Sequence, residues 1–202
     1  MRIFLIRHGQ SEANKENIIQ GHMNSSLSDI GREQAKTTGE KLLESKIVFD
    51  SVYSSDLSRA KETAKIITKV LGVKDIVFDE RLREMYLGDF EGKNSKELTE
   101  EENAFLNSCW DDHDIRVPNG ETTNEFKHRI KDIFNEIIAS GENDSTILVV
   151  AHGGSLYHIL QSTLNILPKN QAWFINCAVN EIIQSQKDKK WTLVKYNGEE
   201  IQ

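Results

Sequence analysis

The chain has 202 residues, 38% of them hydrophobic, and its 25 Lys and Arg face 32 Asp and Glu for a net charge of −7. This length suffices for one α/β domain with a sizeable core, and no Pro-, Gly- or Ser-rich linker divides it, so we predict one domain over residues 1–202. The acidic balance argues against nucleic-acid binding, which depends on summed positive charge. No apolar run approaches the roughly 18 residues of a membrane span, so we expect no membrane partner.

The cysteines and the first apolar run indicate the cellular compartment of the protein. Cys109 and Cys177 lie far apart and form no Cys-x-x-Cys pattern, so we expect reduced, packed thiols. The first apolar run is shorter than the roughly 7–15 residues of a signal-peptide core. We therefore predict a cytoplasmic protein.

The first apolar run, Ile3-Phe4-Leu5-Ile6, predicts a buried strand that ends abruptly in Arg7-His8-Gly9. Ligands of an open α/β sheet bind beyond the carboxyl ends of its strands, and glycine there lets the backbone turn sharply. Arg7 and His8 are the first candidates for chemistry. From this stretch alone, an Arg-His pair in a surface loop is about as good an interpretation as a catalytic pair.

The next elements alternate between helix and strand. The polar stretch 14–26 predicts a loop over the site, and Ser28 predicts the N-cap of a helix to about Ser45. The inner face of that helix is expected to carry Ala35, Leu42 and Leu43. Strand two is predicted at Ser51 to Ser54, and Gly72 stops the helix after it, whose apolar positions are Leu57, Ala60, Ala64, Ile67 and Leu71.

Arg59 lies in the first turn of that second helix. The amino end of a helix already favours negative charge, so an arginine there is explained if an anion binds to the helix amides and the guanidinium together. A solvated arginine is the alternative.

The middle of the chain is less regular. We predict a third strand at Ile76 to Phe78, a polar helix from Ser95 toward Asn107, and an acidic, irregular insertion from Ser108 to Asn119. A capping box at Thr122 to Glu125 then begins a helix that ends at Gly141. Its core-facing stripe is Phe126, Ile130, Ile133, Phe134, Ile137 and Ile138.

A second apolar run repeats the pattern of the first. Thr146 to Ala151 ends in His152-Gly153-Gly154, so two histidines in matched settings could meet over one pocket. A further helix carries Leu156, Ile159, Leu160, Thr163 and Leu164, and Ala178 to Gln184 with Lys190 to Tyr196 predict a hairpin at the sheet edge. The fold class is α/β: a three-layer α/β/α sandwich whose sheet is mostly parallel with an antiparallel edge.

Five motifs in order carry a family resemblance. They are Leu5-Ile6-Arg7-His8-Gly9-Gln10-Ser11-Glu12-Ala13-Asn14, Ser54-Ser55-Asp56-Leu57-Ser58-Arg59-Ala60, Leu82-Arg83-Glu84 with Gly88-Asp89-Phe90-Glu91-Gly92, Pro118-Asn119-Gly120-Glu121-Thr122, and Val150-Ala151-His152-Gly153-Gly154. Together they resemble the histidine phosphatase superfamily, also called phosphoglycerate mutase-like. They span residues 5–154, most of the chain.

The resemblance implies roles for the motif residues. His8 would attack phosphorus to form a phosphohistidine, with its other ring nitrogen hydrogen-bonded to a backbone carbonyl, and Glu84 would be the general acid. The planar donor forks of Arg7 and Arg59 suit phosphate oxygens, and His152 would stabilise the transferring group. The expected phosphate- or substrate-binding set is Arg7, Asn14, Gln20, Gly21, Arg59, His152 and Gly153.

Within the family the sequence favours the phosphatase branch, because Met85 follows the acid and Asp111-Asp112 stand where mutases hold substrate carboxylate with arginines. We therefore expect a histidine acid phosphatase type of phosphomonoesterase for a small phosphorylated metabolite, monomeric or homodimeric. Residues 93–120 are expected to form a cap that sets specificity. No metal or cofactor is implied, since no ligand motif is present. A phosphoglycerate mutase and a non-catalytic module that binds phosphorylated ligands remain the alternatives.

Overall fold

The computed structural model describes residues 1–166 and 173–201. Its sheet has seven strands: β1 Arg2–Arg7, β2 Ser51–Ser54, β3 Val77–Phe78, β4 Thr146–Ala151, β5 Val179–Gln184, β6 Trp191–Tyr196 and β7 Glu199–Glu200. Their order across the sheet is β3-β2-β4-β1-β5-β6-β7. The pairs among β3, β2, β4 and β1 are parallel, whereas β5, β6 and β7 add on antiparallel. The mostly parallel sheet with an antiparallel edge is confirmed.

The helices are α1 Glu12–Lys15, α2 Asp29–Glu44, α3 Ser58–Leu71, α4 Glu100–Asp111, α5 Thr123–Ser140 and α6 Gly153–His158. A π-helical turn, Ile159–Thr163, continues α6. Ser28 and Thr122 cap α2 and α5 as predicted, and Gly72 ends α3 with a φ of +73°, a conformation that glycine adopts without steric cost. Among the helices of residues 1–166 and 173–201, none is long and apolar enough to cross a membrane.

Two apolar cores on opposite faces of the sheet make the three layers. Successive side chains of a strand point to opposite faces, and in β1 Ile3 and Leu5 join the core that includes Phe126 and Ile130 of α5. Phe4 and Ile6 join the other core, with residues of α2 and α3 that include Ala35, Ala60, Ala64 and Ile67. A buried central strand therefore needs no polar alternation, which explains the continuous apolar run of β1.

Several predicted boundaries were wrong. The expected loop at 14–26 begins inside α1, because Ser11 and Asn14 form a capping box. The polar helix starts at Glu100, where Thr99 and Glu102 form another capping box, and runs into the stretch predicted as irregular. Leu43 was predicted on the inner face of its helix but is exposed. The third strand starts at Val77 and not at Ile76, and the short strand β7 was not predicted.

Candidate active site

The two His-Gly turns meet at one edge of the sheet because β1 and β4 are adjacent and parallel. Arg7 pairs with Ala151 in register, and the His8 N–H donates to the Ala151 carbonyl at 3.0 Å. The rings of His8 and His152 then lie with centroids 5.1 Å apart. Both side chains are buried. The two histidines therefore meet in one buried cluster, and their shared role at one pocket stays a prediction.

The hydrogen bonds of His8 assign its tautomer. Its Nδ1 lies 2.7 Å from the Gly9 carbonyl oxygen, which can only accept, so Nδ1 carries the proton. The Nε of Arg59, which can only donate, lies 3.2 Å from Nε2, so Nε2 presents its lone pair. Burial, with help from the charges of Arg59 and Arg7, holds the pKa of His8 well below the usual value of 6.5. His8 is thus a neutral imidazole whose Nε2 carries the lone pair.

The backbone around His8 is held from two sides. The Gly9 N–H donates to Thr63 Oγ1 of α3 at 3.0 Å, and Asn176 Nδ2 donates to the His8 carbonyl at 2.7 Å. The close approach to α2 requires glycine, because a Cβ on Gly9 would lie 2.4 Å from the Gly31 carbonyl oxygen. The turn after β1 is therefore fixed before any ligand binds.

Arg59 is almost fully buried, with 1% of its surface exposed. Besides the bond to His8, it donates to the carbonyls of Met23 at 2.9 Å and Gly21 at 2.8 Å. Burial lowers its pKa to about 10, so it stays charged at neutral pH. Near the start of α3 the Leu57 and Ser58 N–H groups donate to Ser55 Oγ and Asn24 Oδ1, and the binding of an anion to helix amides and Arg59 together stays a prediction.

Two buried nitrogens beside His8 have no hydrogen-bond partner among the residues that the structure describes: Arg7 Nε and His152 Nδ1. Arg7 otherwise donates from NH1 to the Phe174 carbonyl at 2.6 Å, and the Nε2 of His152 lies 2.8 Å from Ser55 Oγ. Native proteins rarely leave buried polar groups unpaired. Two such nitrogens next to two arginines are the groups that a bound anion would satisfy.

Glu84 reaches this cluster from the loop after the 3₁₀ turn Glu80–Leu82. Its carboxylate accepts from the Gly154 N–H and the Met85 N–H, both at 3.0 Å. A Cβ on Gly154 would lie 2.2 Å from Glu84 Oε1, so only glycine lets the carboxylate lie against α6. The carboxylate of Glu84, the predicted acid, therefore lies against Gly154, the second residue of α6, which follows His152 in the chain.

Arg129 of α5 positions the Glu84 loop, a role that no sequence pattern indicated. Its guanidinium donates to the carbonyls of Arg81 at 3.0 Å, Arg83 at 2.7 Å and Glu84 at 2.7 Å. Glu121 holds the other edge of the same group. Ser55, the partner of His152, was also missed, although it lies in the motif around Arg59.

The remaining predicted binding residues contact Ser11, Arg59 or Trp173. Gln20 Oε1 accepts from Ser11 Oγ at 2.8 Å, and Asn14 Oδ1 accepts the Ser11 N–H at 3.2 Å. Gly21 supplies a carbonyl to Arg59. Gly153 lies under the Trp173 indole, since a Cβ there would be 3.0 Å from Nε1. Gln20 and Asn14 thus hold Ser11 in position and Gly21 holds Arg59, and their binding to a ligand stays a prediction.

Two further observations delimit the site. Within residues 1–166 and 173–201, no group of three or more His, Cys, Asp and Glu side chains could hold a metal ion. A cavity of about 670 Å³ opens between α2 and the antiparallel edge of the sheet, lined by residues that include Thr38, Asn176 and Cys177, and it contains neither histidine. The convergence of titratable groups, and not this cavity, therefore identifies the candidate site.

Comparison with known proteins gives a consistent family. A model described as histidine phosphatase superfamily (branch 1) matches residues 3–199. A protein of Hydrogenobacter thermophilus provisionally named phosphoserine phosphatase 2 is 35% identical over 97% of this chain and 95% of its own. A 2,3-bisphosphoglycerate-dependent phosphoglycerate mutase of Parvibaculum lavamentivorans is 33% identical, over 96% and 93%. The structure of mycobacterial glucosyl-3-phosphoglycerate phosphatase with VO3 superposes with a TM-score of 0.82 at 27% identity, over 98% and 99%.

Proposed function

The chain belongs to the histidine phosphatase superfamily, and on that premise we propose that it is a phosphomonoesterase that hydrolyses small phosphorylated metabolites through a phosphohistidine on His8. The named phosphatases among its relatives and structural neighbours support hydrolysis as the reaction. The observation that carries the mechanism is the tautomer of His8, whose Nε2 lone pair is turned toward Arg59.

In the first step Arg59 Nε gives up its hydrogen bond to His8 Nε2, and the freed lone pair attacks phosphorus. The N–P bond forms as the bond from phosphorus to the ester oxygen breaks, and Glu84, which takes up a proton when the substrate binds, gives that proton to the departing oxygen. The Gly9 carbonyl keeps the Nδ1 proton, which stabilises the positive charge that the ring gains on phosphorylation. This step releases the alcohol and leaves the phosphoryl group on His8.

Charge stabilisation falls to three other side chains. Phosphoryl transfer depends chiefly on positioning and on donors aimed at the phosphoryl oxygens. Arg7 Nε is a buried donor left over for those oxygens, His152 Nδ1 is a second donor in the tautomer in which the Ser55 hydroxyl donates to Nε2, and Arg59 adds its charge beside His8 Nε2. A phosphate dianion thus meets two fixed cations, so it needs no metal ion.

In the second step water attacks the phosphohistidine and the N–P bond breaks. Glu84, now a carboxylate, accepts the proton of the attacking water, and the electron pair returns to Nε2. Inorganic phosphate leaves, and both residues recover their starting states. The same carboxyl group therefore acts as an acid and then as a base on one side of the phosphorus.

The test is hydrolysis of p-nitrophenyl phosphate with EDTA present, comparing wild type, His8→Ala and a matched control, His128→Ala. His128 is exposed on α5, so its removal should leave the rate unchanged. Phosphate release that survives EDTA and His128→Ala but disappears with His8→Ala supports the proposal. Release that persists without His8, or that EDTA abolishes, would overturn it.

A phosphoglycerate mutase is the second candidate, because a named mutase is 33% identical over almost the whole chain. A mutase returns the phosphoryl group to a second hydroxyl, so 3-phosphoglycerate would be isomerised without release of phosphate. Arg116, near the stretch where mutases hold carboxylate, is paired with Glu125. We expect phosphate release to exceed isomerisation, and the reverse ratio would establish the mutase.

A further inference from the structure

Four rings form a continuous strip beside the candidate site, in the order Trp173, Tyr157, His158 and Trp110. Trp173 stacks on Tyr157 with centroids 6.4 Å apart and ring planes 23° apart. Tyr157 meets His158 edge to face at 5.3 Å, and His158 stacks on Trp110 at 6.4 Å. The strip runs from the start of α6 to the end of α4 and joins the site to the region predicted as a cap.

The strip begins where the leaving group would depart. Trp173 lies over Gly153, and Glu84 lies against Gly154, the next residue. The residue after Trp173 supplies the carbonyl that binds Arg7, which fixes the indole relative to the phosphate donors. An alcohol whose oxygen is protonated by Glu84 would therefore extend next to the face of Trp173.

Three of the four rings are open to solvent, whereas His158, between Tyr157 and Trp110, is buried. Trp173 is 56% exposed, Trp110 40% and Tyr157 37%. Large rings that remain exposed together, next to a site, mark a surface on which a ligand can bury apolar area. A flat ring seated there gains from area burial and from stacking geometry.

The charged groups around the strip favour an apolar ligand over a second carboxylate. Arg129 is committed to three carbonyls and Glu121, and Arg116 to Glu125. Lys127 has its Nζ 2.8 Å and 3.0 Å from the two ring nitrogens of His113, and like Arg7 and Arg59 of the candidate site it has no carboxylate partner within residues 1–166 and 173–201. A substrate carboxylate bound to Lys127 is therefore the alternative that the experiment must distinguish from an aromatic ring bound to the strip.

We propose that the Trp173–Tyr157 face is the leaving-group subsite and that the preferred substrates are phosphomonoesters of alcohols that carry an aromatic ring. The proposal rests on the proposed function, since it concerns the alcohol that the same reaction releases. Trp173 is a specificity residue here: it contacts the alcohol and takes no part in bond breaking.

The experiment compares benzyl phosphate with methyl phosphate, because their alcohols have nearly equal acidity and differ by the ring. Burial of the ring predicts that kcat/KM for benzyl phosphate exceeds that for methyl phosphate by about 10- to 100-fold. A ratio near one in the wild-type enzyme would overturn the subsite. Failure to hydrolyse either ester, while His8→Ala and wild type behave alike, would instead overturn the proposed function.

Variants locate the ring. Trp173→Ala should reduce the benzyl-to-methyl ratio of kcat/KM at least about tenfold, and Trp173→Phe should retain part of the ratio. Tyr86→Leu is the matched control: Tyr86 is also exposed but stacks on His22, at 4.9 Å, beside the backbone of Glu84. A ratio that collapses in Tyr86→Leu and survives in both Trp173 variants would overturn the assignment.

The rival is tested with O-phosphoserine. If the wild type prefers O-phosphoserine to benzyl phosphate and Lys127→Gln abolishes that preference, the ligand is a carboxylate and the aromatic subsite is wrong. Competition by phenylphosphonate gives a readout independent of turnover. It should inhibit at least about tenfold more strongly than methylphosphonate in the wild type and equally in Trp173→Ala. Equal inhibition in the wild type would contradict the proposal.

Discussion

The two strand ends that carry His8 and His152 look alike in sequence and differ in chemistry. Each is an apolar strand followed by His-Gly, and the structure places both rings in one buried cluster. At His8 a carbonyl and a guanidinium fix the donor and the acceptor nitrogen. At His152 the partner is the Ser55 hydroxyl, which can donate or accept, and Nδ1 is open.

This difference separates attack from binding. A nucleophilic histidine needs one ring nitrogen that is held unprotonated in a fixed orientation, and the contacts of His8 hold its Nε2 in that state. A residue that binds a substrate oxygen needs a nitrogen without a partner in the free protein, and His152 has that among the described residues. The two proposed roles therefore rest on the different contacts of the two rings, since the His-Gly motif is the same at His8 and His152.

Exchange of each histidine for glutamine should give the largest effect. We expect His8→Gln to lower kcat/KM by at least about 10⁴-fold, because the nucleophile acts as a unit with its partners. His152→Gln should cost about 10²- to 10³-fold, as expected for loss of one donor to the developing charge. Steady-state kinetics on p-nitrophenyl phosphate measure both, and a larger loss at His152 would reverse the assignment.

The partners of the two histidines give the next largest effect. Arg59→Lys should lower kcat/KM by about 10²- to 10³-fold, because one ammonium cannot serve His8 and two carbonyls in the fixed geometry of a guanidinium. Ser55→Ala, the matched change at the partner of His152, should lower kcat/KM about tenfold, the effect expected when one hydrogen bond is lost. If the lysine variant kept nearly full activity, the role given to Arg59 would be wrong.

A third buried histidine gives the smallest predicted effect and tests whether burial alone marks catalysis. Burial, then the charge of Lys127, lowers the pKa of His158 to about 3. The unfolded chain therefore takes up this proton near pH 6.5 and the folded protein does not, so stability is present above that pH and is lost as the pH falls toward 3.

Between pH 7 and pH 5 this group alone should cost about 2 kcal/mol of unfolding free energy. His158→Phe should remove that part of the pH dependence, as measured by urea unfolding at each pH, and leave the reaction of His8 intact. His128→Ala, an exposed control, should keep the wild-type slope. An unchanged slope in His158→Phe would show that His158 does not supply the effect.

Periodicity and capping made most of the fold predictable from the sequence. The unbroken apolar runs of β1 and β4 could only be buried central strands, and the capping residues Ser28 and Thr122 marked the starts of α2 and α5 correctly. Where a second capping box at Thr99 was overlooked, α4 was placed too early. The error lay in reading local chemistry, since the signal was present in the sequence.

The site was predicted less completely, because its supporting contacts join distant parts of the chain. Arg129 lies on the polar side of the α5 stripe, and no spacing shows that its guanidinium binds the carbonyls beside Glu84. Ser55 and Phe174 come to His152 and Arg7 only through the strand order β2-β4-β1-β5. Such partners depend on tertiary packing, which one sequence does not reveal.

The most direct test of His8 as the nucleophile is to trap the phosphorylated enzyme. Brief reaction with ³²P-labelled substrate, quenched in alkali, should leave an acid-labile phosphate on the peptide that contains His8. The label should be absent from His8→Gln and present, though formed more slowly, in His152→Gln. Label on the His152 peptide, or turnover by an enzyme that never becomes labelled, would contradict the assignment of His8 as the nucleophile.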